Sequence, residues 1–163
     1  MYTIRKASPN DIGLIRELCL QVWPQTYASI ISPEQITYML EMMYSEASLQ
    51  QQMQNGALFI IVYDKNEPVG FTSYQEVKPG IVKLHKLYVL PSQQGKGTGR
   101  FIINYIIAAT KQDNIIAIQL QVNRRNKARD FYERLGFTVI EEFDFEIGNG
   151  WVMDDYVMEK KLV

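Results

Sequence analysis

Between an apolar strand-like segment, Leu84 to Pro91, and an apolar helix-like one, Phe101 to Ala109, the chain reads Gln94-Gly95-Lys96-Gly97-Thr98-Gly99-Arg100. Glycines at alternate positions let the backbone turn sharply and approach a ligand closely. The first turn of the following helix leaves its amides without intrahelical acceptors, and the positive end of the helix dipole adds to their pull on an anion. Strand, glycine loop and helix in that order predict a phosphate-binding junction. The loop does not supply G-x-x-x-x-G-K-S/T, since neither Gly95-Lys96 nor Gly99-Arg100 fits, which argues against nucleoside triphosphate hydrolysis. Its G-x-G-x-G spacing, followed by a strand that closes on Asn123 rather than on an acid, does not fit a dinucleotide fingerprint either. A plain tight strand-to-helix junction is the simplest alternative.

The rest of the chain alternates in the same manner. Residues 2–7 read as a strand, and Ser8-Pro9-Asn10-Asp11 starts a helix that carries Ile12, Ile15, Leu18, Cys19 and Val22 at helical spacing. Trp23 to Ile31 reads as an aromatic-rich loop, Ser32-Pro33-Glu34-Gln35 starts a second helix, and Ser45 begins a further helical piece that Gly56 can end. Ala57 to Tyr63, Val69 to Val77 and the strand ending at Pro91 predict an antiparallel meander. Beyond the glycine loop come a helix, a strand from Ile115 to Val122, a short helix around Phe131, and two strands, Phe137 to Ile147 and Trp151 to Lys161. The expected fold class is α/β: a mixed, mostly antiparallel sheet flanked by helices, in the order βααβββαβαββ.

Composition narrows the function classes. With 163 residues, 47% of them hydrophobic, residues 1–163 suit one compact domain and are too few for two ordinary ones. Lys and Arg number 17 against 18 Asp and Glu, so no whole-molecule field attracts nucleic acid or an anionic membrane. A lone Cys19 and a lone His85 exclude a disulfide framework and a Cys- or His-rich metal centre, so no metal is expected. The N-terminus lacks the apolar core of a signal peptide and no run approaches the roughly 18 apolar residues of a membrane span, which makes the cytoplasm the expected compartment.

Gln94-x-x-Gly97-x-Gly99 resembles the Q/R-x-x-G-x-G/A signature of the GCN5-related N-acetyltransferase (GNAT) family. His85-Lys86-Leu87-Tyr88-Val89-Leu90-Pro91 is similar to that family's bulged fourth strand, and Asn126-x-Ala128-x-x-Phe131-Tyr132-x-x-x-Gly136-Phe137 to its second motif. Paired motifs in the expected order are more specific than either alone, and the likeness covers essentially residues 2–163. It implies an N-acetyltransferase domain with acetyl-CoA as cosubstrate. Leu87 and Val89 would bind pantetheine and acetyl through their backbones. Gln94, Gly95, Lys96, Gly97, Thr98, Gly99 and Arg100 would cradle the pyrophosphate, and Ala128 would belong to the second motif. Only Lys127 separates Asn126 from Ala128, where many relatives have two residues, so either Asn123 or Asn126 would contact pantetheine. Arg124, Arg125, Lys127 and Arg129 would add a cationic rim for the CoA 3′-phosphate, the alternative being an ordinary solvated turn.

Transfer to a primary amine by direct attack on the thioester needs a base for the incoming ammonium and an acid for the departing thiolate. The resemblance implies Tyr132 as the acid. For the base, His85 shares strand parity with Leu87 and Val89 and titrates in the useful range, while Glu76 acting through water is the rival. The acceptor, a small-molecule or peptide amine, would enter beside the first helices and the last hairpin, where Asp144, Glu146, Asp154 and Asp155 supply acids. Thr26-Tyr27, Ser32-x-Glu34 and Tyr38 loosely resemble the polyamine acetyltransferase subgroup and imply a polyamine-like acceptor. Phe143, Phe145, Trp151 and Tyr156 in the last hairpin form either core or a homodimer interface. The competing functional class is a noncatalytic acyl-CoA sensor of the same fold.

Overall fold

A computed structural model describes residues 1–163. Strand β1 (Tyr2–Lys6) leads through a short 3-10 turn into helix α1 (Ile12–Tyr27). Asp11 anchors that entry: its carboxylate accepts the Ser8 amide at 2.9 Å and both guanidinium nitrogens of Arg5 at 2.9 Å. The segment from Trp23 expected as a loop is helical as far as Tyr27, and α1 runs through Pro24. Proline removes the amide that would have bonded the Leu20 carbonyl. Burial outweighs that loss: Trp23 is 1% exposed, stacks on Tyr27 with ring centroids 4.4 Å apart, and meets Tyr44 and Tyr88.

Helices α2 (Pro33–Tyr44) and α3 (Glu46–Gln54) are separate elements. Ser32 accepts the Gln35 amide at 3.1 Å and Ser45 the Ser48 amide at 3.2 Å, each hydroxyl satisfying one of the unpaired donors at a helix start. Ser45 is itself extended (ψ 155°), so three helices, not two, precede the second strand. Strands β2 (Leu58–Asp64), β3 (Glu67–Lys78) and β4 (Ile81–Val89) form the predicted meander. Helix α4 (Thr98–Thr110), strand β5 (Ala117–Asn123), helix α5 (Ala128–Arg134) and strands β6 (Thr138–Gly148) and β7 (Trp151–Lys161) complete the chain.

The seven-stranded sheet has the order β1-β2-β3-β4-β5-β7-β6, mixed and mostly antiparallel as expected. Its single parallel step is β4 against β5, and that pairing covers only Ile81–Leu84 with Ala117–Leu120. Beyond those residues the two strands diverge and leave a gap in the sheet. On one face α4 buries Ile102, Ile103 and Ile106 against Val82, Leu84, Ile118 and Leu120; each such side chain contributes roughly 1.5–3 kcal/mol by leaving water. On the other face α1, α2 and α3 bury Ile15, Leu18, Met39 and Leu49 against Phe59, Ile61 and Phe71.

A bulge in β4 decides which side chains reach which face. Ser73 pairs with Lys86 but Tyr74 pairs with Leu84, so His85 is the extra residue. Val82 and Leu84 pack under α4; past the bulge, Leu87 and Val89 return to that layer while Tyr88 joins the α1 side.

Candidate active site

The glycine loop meets α4 in the geometry an anion requires. Gly95 and Gly97 hold φ of +80° and +85°, Gly97 as the residue before the helix, and a Cβ at either would meet nothing within 4 Å. The first backbone bond into the helix runs from the Phe101 amide to the Gly97 carbonyl at 3.0 Å, so the amides of Thr98, Gly99 and Arg100 lie ahead of the hydrogen-bonded ladder. Gly99 is required for a different reason: its Cβ would lie 2.7 Å from Cζ of Phe131 on α5, so the two motifs touch there. Two loop residues are less available than the sequence implied. The Lys96 amide bonds the Gln93 carbonyl at 3.3 Å, and Thr98 is 1% exposed, its hydroxyl donating to the Tyr2 hydroxyl at 2.7 Å, which donates to the Lys96 carbonyl at 3.0 Å. Thr98 therefore offers its amide and not its side chain, while Gln94, Lys96 and Arg100 are exposed around the loop.

Leu87 and Val89 open into the gap. The Leu90 amide donates to Val69 at 2.8 Å and the Lys86 carbonyl accepts the Thr72 hydroxyl at 2.7 Å, so the even-numbered backbone groups here face β3. Backbone groups alternate along a strand, which turns those of Leu87 and Val89 toward the place where β5 has moved away.

The asparagines have local partners. Asn123 Oδ1 accepts the Arg125 amide and Asn126 Oδ1 the Ala128 amide, each at 2.9 Å, shaping the turn into α5, whose first residue Ala128 is half-buried beside the α4 core. Asn123 also lines the cavity described next. The expected cationic rim is not assembled. Arg124 pairs with Asp154 at 2.5 Å and Asp144 at 3.4 Å, Arg125 reaches the Ile30 carbonyl, and Arg129 pairs with Glu133 at 2.5 Å while lying 4.5 Å over the Tyr156 ring. These arginines bind the last hairpin, α5 and the α1–α2 connection together, because acids and carbonyls on adjacent elements reach them first.

On the α1–α2 face, beside the gap, lies a cavity of about 210 Å³. Trp23, Tyr27, Met39 and Met43 wall it from the helices, Lys83, His85, Lys86 and Tyr88 from β4, and Asn123 and Asp155 from the far strands. His85 reaches this cavity by plain alternation with Lys83; the bulge then sends Leu87 and Val89 to the opposite layer, so His85 does not share their face as its strand parity predicted. Its Nε2 lies 3.2 Å from Oε1 of Gln75. Burial, then the nearby Lys83 and Lys86, push its pKa down to about 4, which keeps the ring neutral at pH 7 but makes it a poor acceptor of an ammonium proton. Glu76 is elsewhere: its Oε1 accepts the Gly80 amide at 3.1 Å at the β3–β4 turn, the end of the hairpin away from the gap. Tyr132 is buried between Phe131 and Phe137, with ring centroids at 5.1 and 5.5 Å, and burial followed by the neighbouring Tyr27 raises its pKa, so it stays protonated. Tyr27 and Tyr88 share a hydrogen bond of 3.3 Å between their hydroxyls.

Two features of the cavity escaped the sequence reading. Lys86, almost fully buried, lies 5.1 Å over the Tyr44 ring and 6.0 Å from the Phe59 ring, and burial pushes its pKa down to about 8. Asp155 is 1% exposed and neither carboxylate oxygen has a hydrogen-bond partner; burial and then Asp154 raise its pKa to about 6, against the pull of Arg124 and Lys83. In the sequence Asp155 is one of several hairpin acids. Its alternation with Met153 and Val157 on β7 is the signal that sets it apart from Asp154, since it places a carboxylate on an apolar inward face.

A parallel pair that splays over an anion-binding helix start, with a separate small cavity on the other face of the sheet, defines an acyl-CoA-dependent acyltransferase. The chain belongs to the GNAT family: the family described as the acetyltransferase (GNAT) domain matches residues 27–159. It is an N-acetyltransferase that uses acetyl-CoA. It is 28% identical to a spermidine N(1)-acetyltransferase of Thermoplasma acidophilum over 97% of this chain and 96% of that one. The crystal structure of the PaiA N-acetyltransferase from Thermoplasma acidophilum in complex with coenzyme A superposes with a TM-score of 0.83 at 28% identity, covering 99% of both chains. A GCN5-related N-acetyltransferase from Rhodopseudomonas palustris shares the fold, with a TM-score of 0.83 at 22% identity over 98% of this chain and 95% of that one. No helix of the chain is long and apolar enough to cross a membrane.

Proposed function

We propose that residues 1–163 act as one domain that acetylates a terminal primary amine of a small polyamine-like molecule. The cavity on the α1–α2 face carries this reading: its volume of about 210 Å³, its aromatic and methionine walls and its buried Asp155 suit one aminoalkyl arm better than a folded peptide end. The spermidine N(1)-acetyltransferase likeness over nearly the whole chain supports the same class of acceptor.

Acetyl-CoA supplies an activated thioester. Toward it, the amides of Gly95, Gly97, Thr98, Gly99 and Arg100 hold the pyrophosphate, assisted by the exposed Gln94, Lys96 and Arg100 side chains. Leu87 and Val89 present backbone groups to pantetheine and the acetyl carbonyl across the gap, and Asn123, which lines the adjoining cavity, is better placed to meet pantetheine than Asn126, whose side chain is taken up by the Ala128 amide at the entry to α5. Tyr132 donates the proton that the departing thiolate takes. His85, neutral and bonded to Gln75, positions the acceptor and is not the base.

Release of free thiol from acetyl-CoA, measured against spermidine, spermine, putrescine, single amino acids and N-terminal peptides, tests the acceptor class. Turnover highest on the polyamines is expected; turnover confined to peptide N-termini rejects the reading.

A further inference from the structure

Asp155 is the one group in the cavity whose chemistry is left open. It sits on β7 opposite Asn123 of β5, almost wholly removed from water, with both oxygens unpartnered. A buried carboxylate without a hydrogen-bond donor is costly, and buried charges in folded proteins are normally paired. Among the groups acting on it, Asp154 belongs to its own strand and repels it, while Lys83 from β4 and Arg124 from the turn after β5 attract it without reaching hydrogen-bond distance. Tyr27 on α1 also feels its charge. Arg124 is already held by Asp144 and Asp154. From α2 the cavity receives Gln35, Met39, Met43 and Tyr44; only Tyr44 is ionisable, and burial raises its pKa well above the ordinary phenol value, so it stays protonated and adds no charge. No protein group supplies a donor to Asp155, so its two oxygens are free to accept the N–H groups of a ligand.

The opposite wall carries cations. Lys83 and Lys86 both line the cavity, and neither forms an ion pair with Asp155. A ligand with two ammonium groups inside would place the second against these lysines. We infer, resting on the small-amine reading above, that Asp155 is the single ammonium site of the acceptor cavity, and that Lys83 and Lys86 exclude a second cation. One terminal aminoalkyl arm therefore enters and any further charges of a polyamine stay outside the cavity.

Asp155 also takes the proton that must leave before attack. The carboxylate accepts one proton from R–NH3⁺ and leaves R–NH2 with a free lone pair. As the nitrogen–carbon bond forms and the carbon–sulfur bond breaks, the thiolate takes a proton from Tyr132, which is restored by the second nitrogen proton. Asp155 then releases its own proton to solvent, and the sum is amide, CoA thiol and one proton. Burial, which lowers the Lys86 ammonium to about 8, also opposes the charged form of a substrate ammonium and so offsets part of the stabilisation that Asp155 gives it.

Binding can be read without turnover because Trp23 lines the cavity. In a Trp151→Phe background loaded with CoA, n-propylammonium at pH 8 should change Trp23 fluorescence saturably. Asp155→Asn should weaken that binding by about tenfold or more, the scale of losing one partner of a buried charged pair. In the unsubstituted cavity, binding should fall as pH drops through about 6, where Asp155 gains its proton while n-propylammonium keeps its charge. Lys83→Met should tighten 1,3-diaminopropane by about tenfold more than it changes n-propylammonium, a selective gain that a purely structural role for Lys83 would not produce. No saturable signal at pH 8, or an affinity unchanged by both Asp155→Asn and acid, overturns the assignment. These titrations stand apart from the acceptor panel: if spermidine fails as a substrate yet n-propylammonium binding depends on Asp155, the polyamine reading falls and the ammonium site remains.

Discussion

Two buried side chains of this site carry opposite demands on protonation. As the proposed acid Tyr132 would work only while protonated, and its aromatic shell secures that form by keeping water from the phenolate. Tyr132→Phe keeps the ring packing and removes the acid, so CoA affinity should hold while kcat falls by about 100-fold or more. Full turnover in a stopped-flow thiol assay would exclude the role. Asp155 works while ionised, and the fold disfavours that form, its pKa rising from 3.8 to about 6. The sign follows: the carboxylate penalty is absent below the ordinary carboxyl range, grows between about 4 and 6, and is complete above. Asp155→Asn should therefore stabilise the protein at pH 8 by about 1–3 kcal/mol, and by much less at pH 4. For a chain of this length that corresponds to roughly 2–12 °C in Tm, measurable by calorimetry at the two pH values. A variant that loses acceptor binding and gains stability is the expected mark of a charge retained for function. A variant less stable at pH 8 would instead make Asp155 structural.

Among the elements, the loop and α4 divide their glycines by purpose. Gly97→Ala places its Cβ in open space, so its cost is the left-handed backbone, about 1–2 kcal/mol, together with a methyl group where phosphate oxygens approach. Gly99→Ala pushes against Phe131 and should lower stability by about 1–3 kcal/mol by separating α4 from α5. Calorimetry alongside CoA titration distinguishes them: Gly97→Ala should weaken CoA without displacing α5, whereas Gly99→Ala should lower Tm even without ligand. This loop was legible because its conformational demands leave glycine as the residue type. The caps at Ser32 and Ser45 were legible for a similar local reason, one hydroxyl serving one amide. What escaped notice was non-local. Pro24 signals a helix end by itself and is overruled by the burial of Trp23 against rings from α2 and β4. The bulge at His85 leaves no mark in residue type, yet it shifts which β4 side chains enter the cavity, and so it hid Lys86. The arginines after β5 read as phosphate ligands until the acids of β7 and β6 were seen beside them.

At the scale of the whole molecule, the sheet consists of two antiparallel portions, β1–β4 and β5–β7–β6, joined by four residue pairs between β4 and β5. The whole chain's net charge of −1 supplies no general attraction for an anion, which is why we assign recognition of the polyanionic cosubstrate to the loop and the open strand edges. The unpaired part of that junction also explains why a short parallel step persists in a mostly antiparallel sheet: β5 cannot continue alongside Leu87 and Val89 without closing the site. Such a gap leaves backbone groups with fewer partners than the rest of the sheet, and local opening is easiest where protection is lowest. CoA binding across the gap should therefore act as a bridge between the portions. At about 100 times its Kd, CoA should stabilise the protein by about 2.7 kcal/mol, or roughly 5–11 °C in Tm. Hydrogen exchange should show where that stabilisation resides. Amides of Leu87, Val89 and the first turn of α4 should gain protection first and most, while β2 in the interior of the first portion changes little beyond the global shift. Protection spread evenly over β2, β4 and β6 would mean that the ligand stabilises a sheet already rigid, and that the splayed junction is not where the cosubstrate acts.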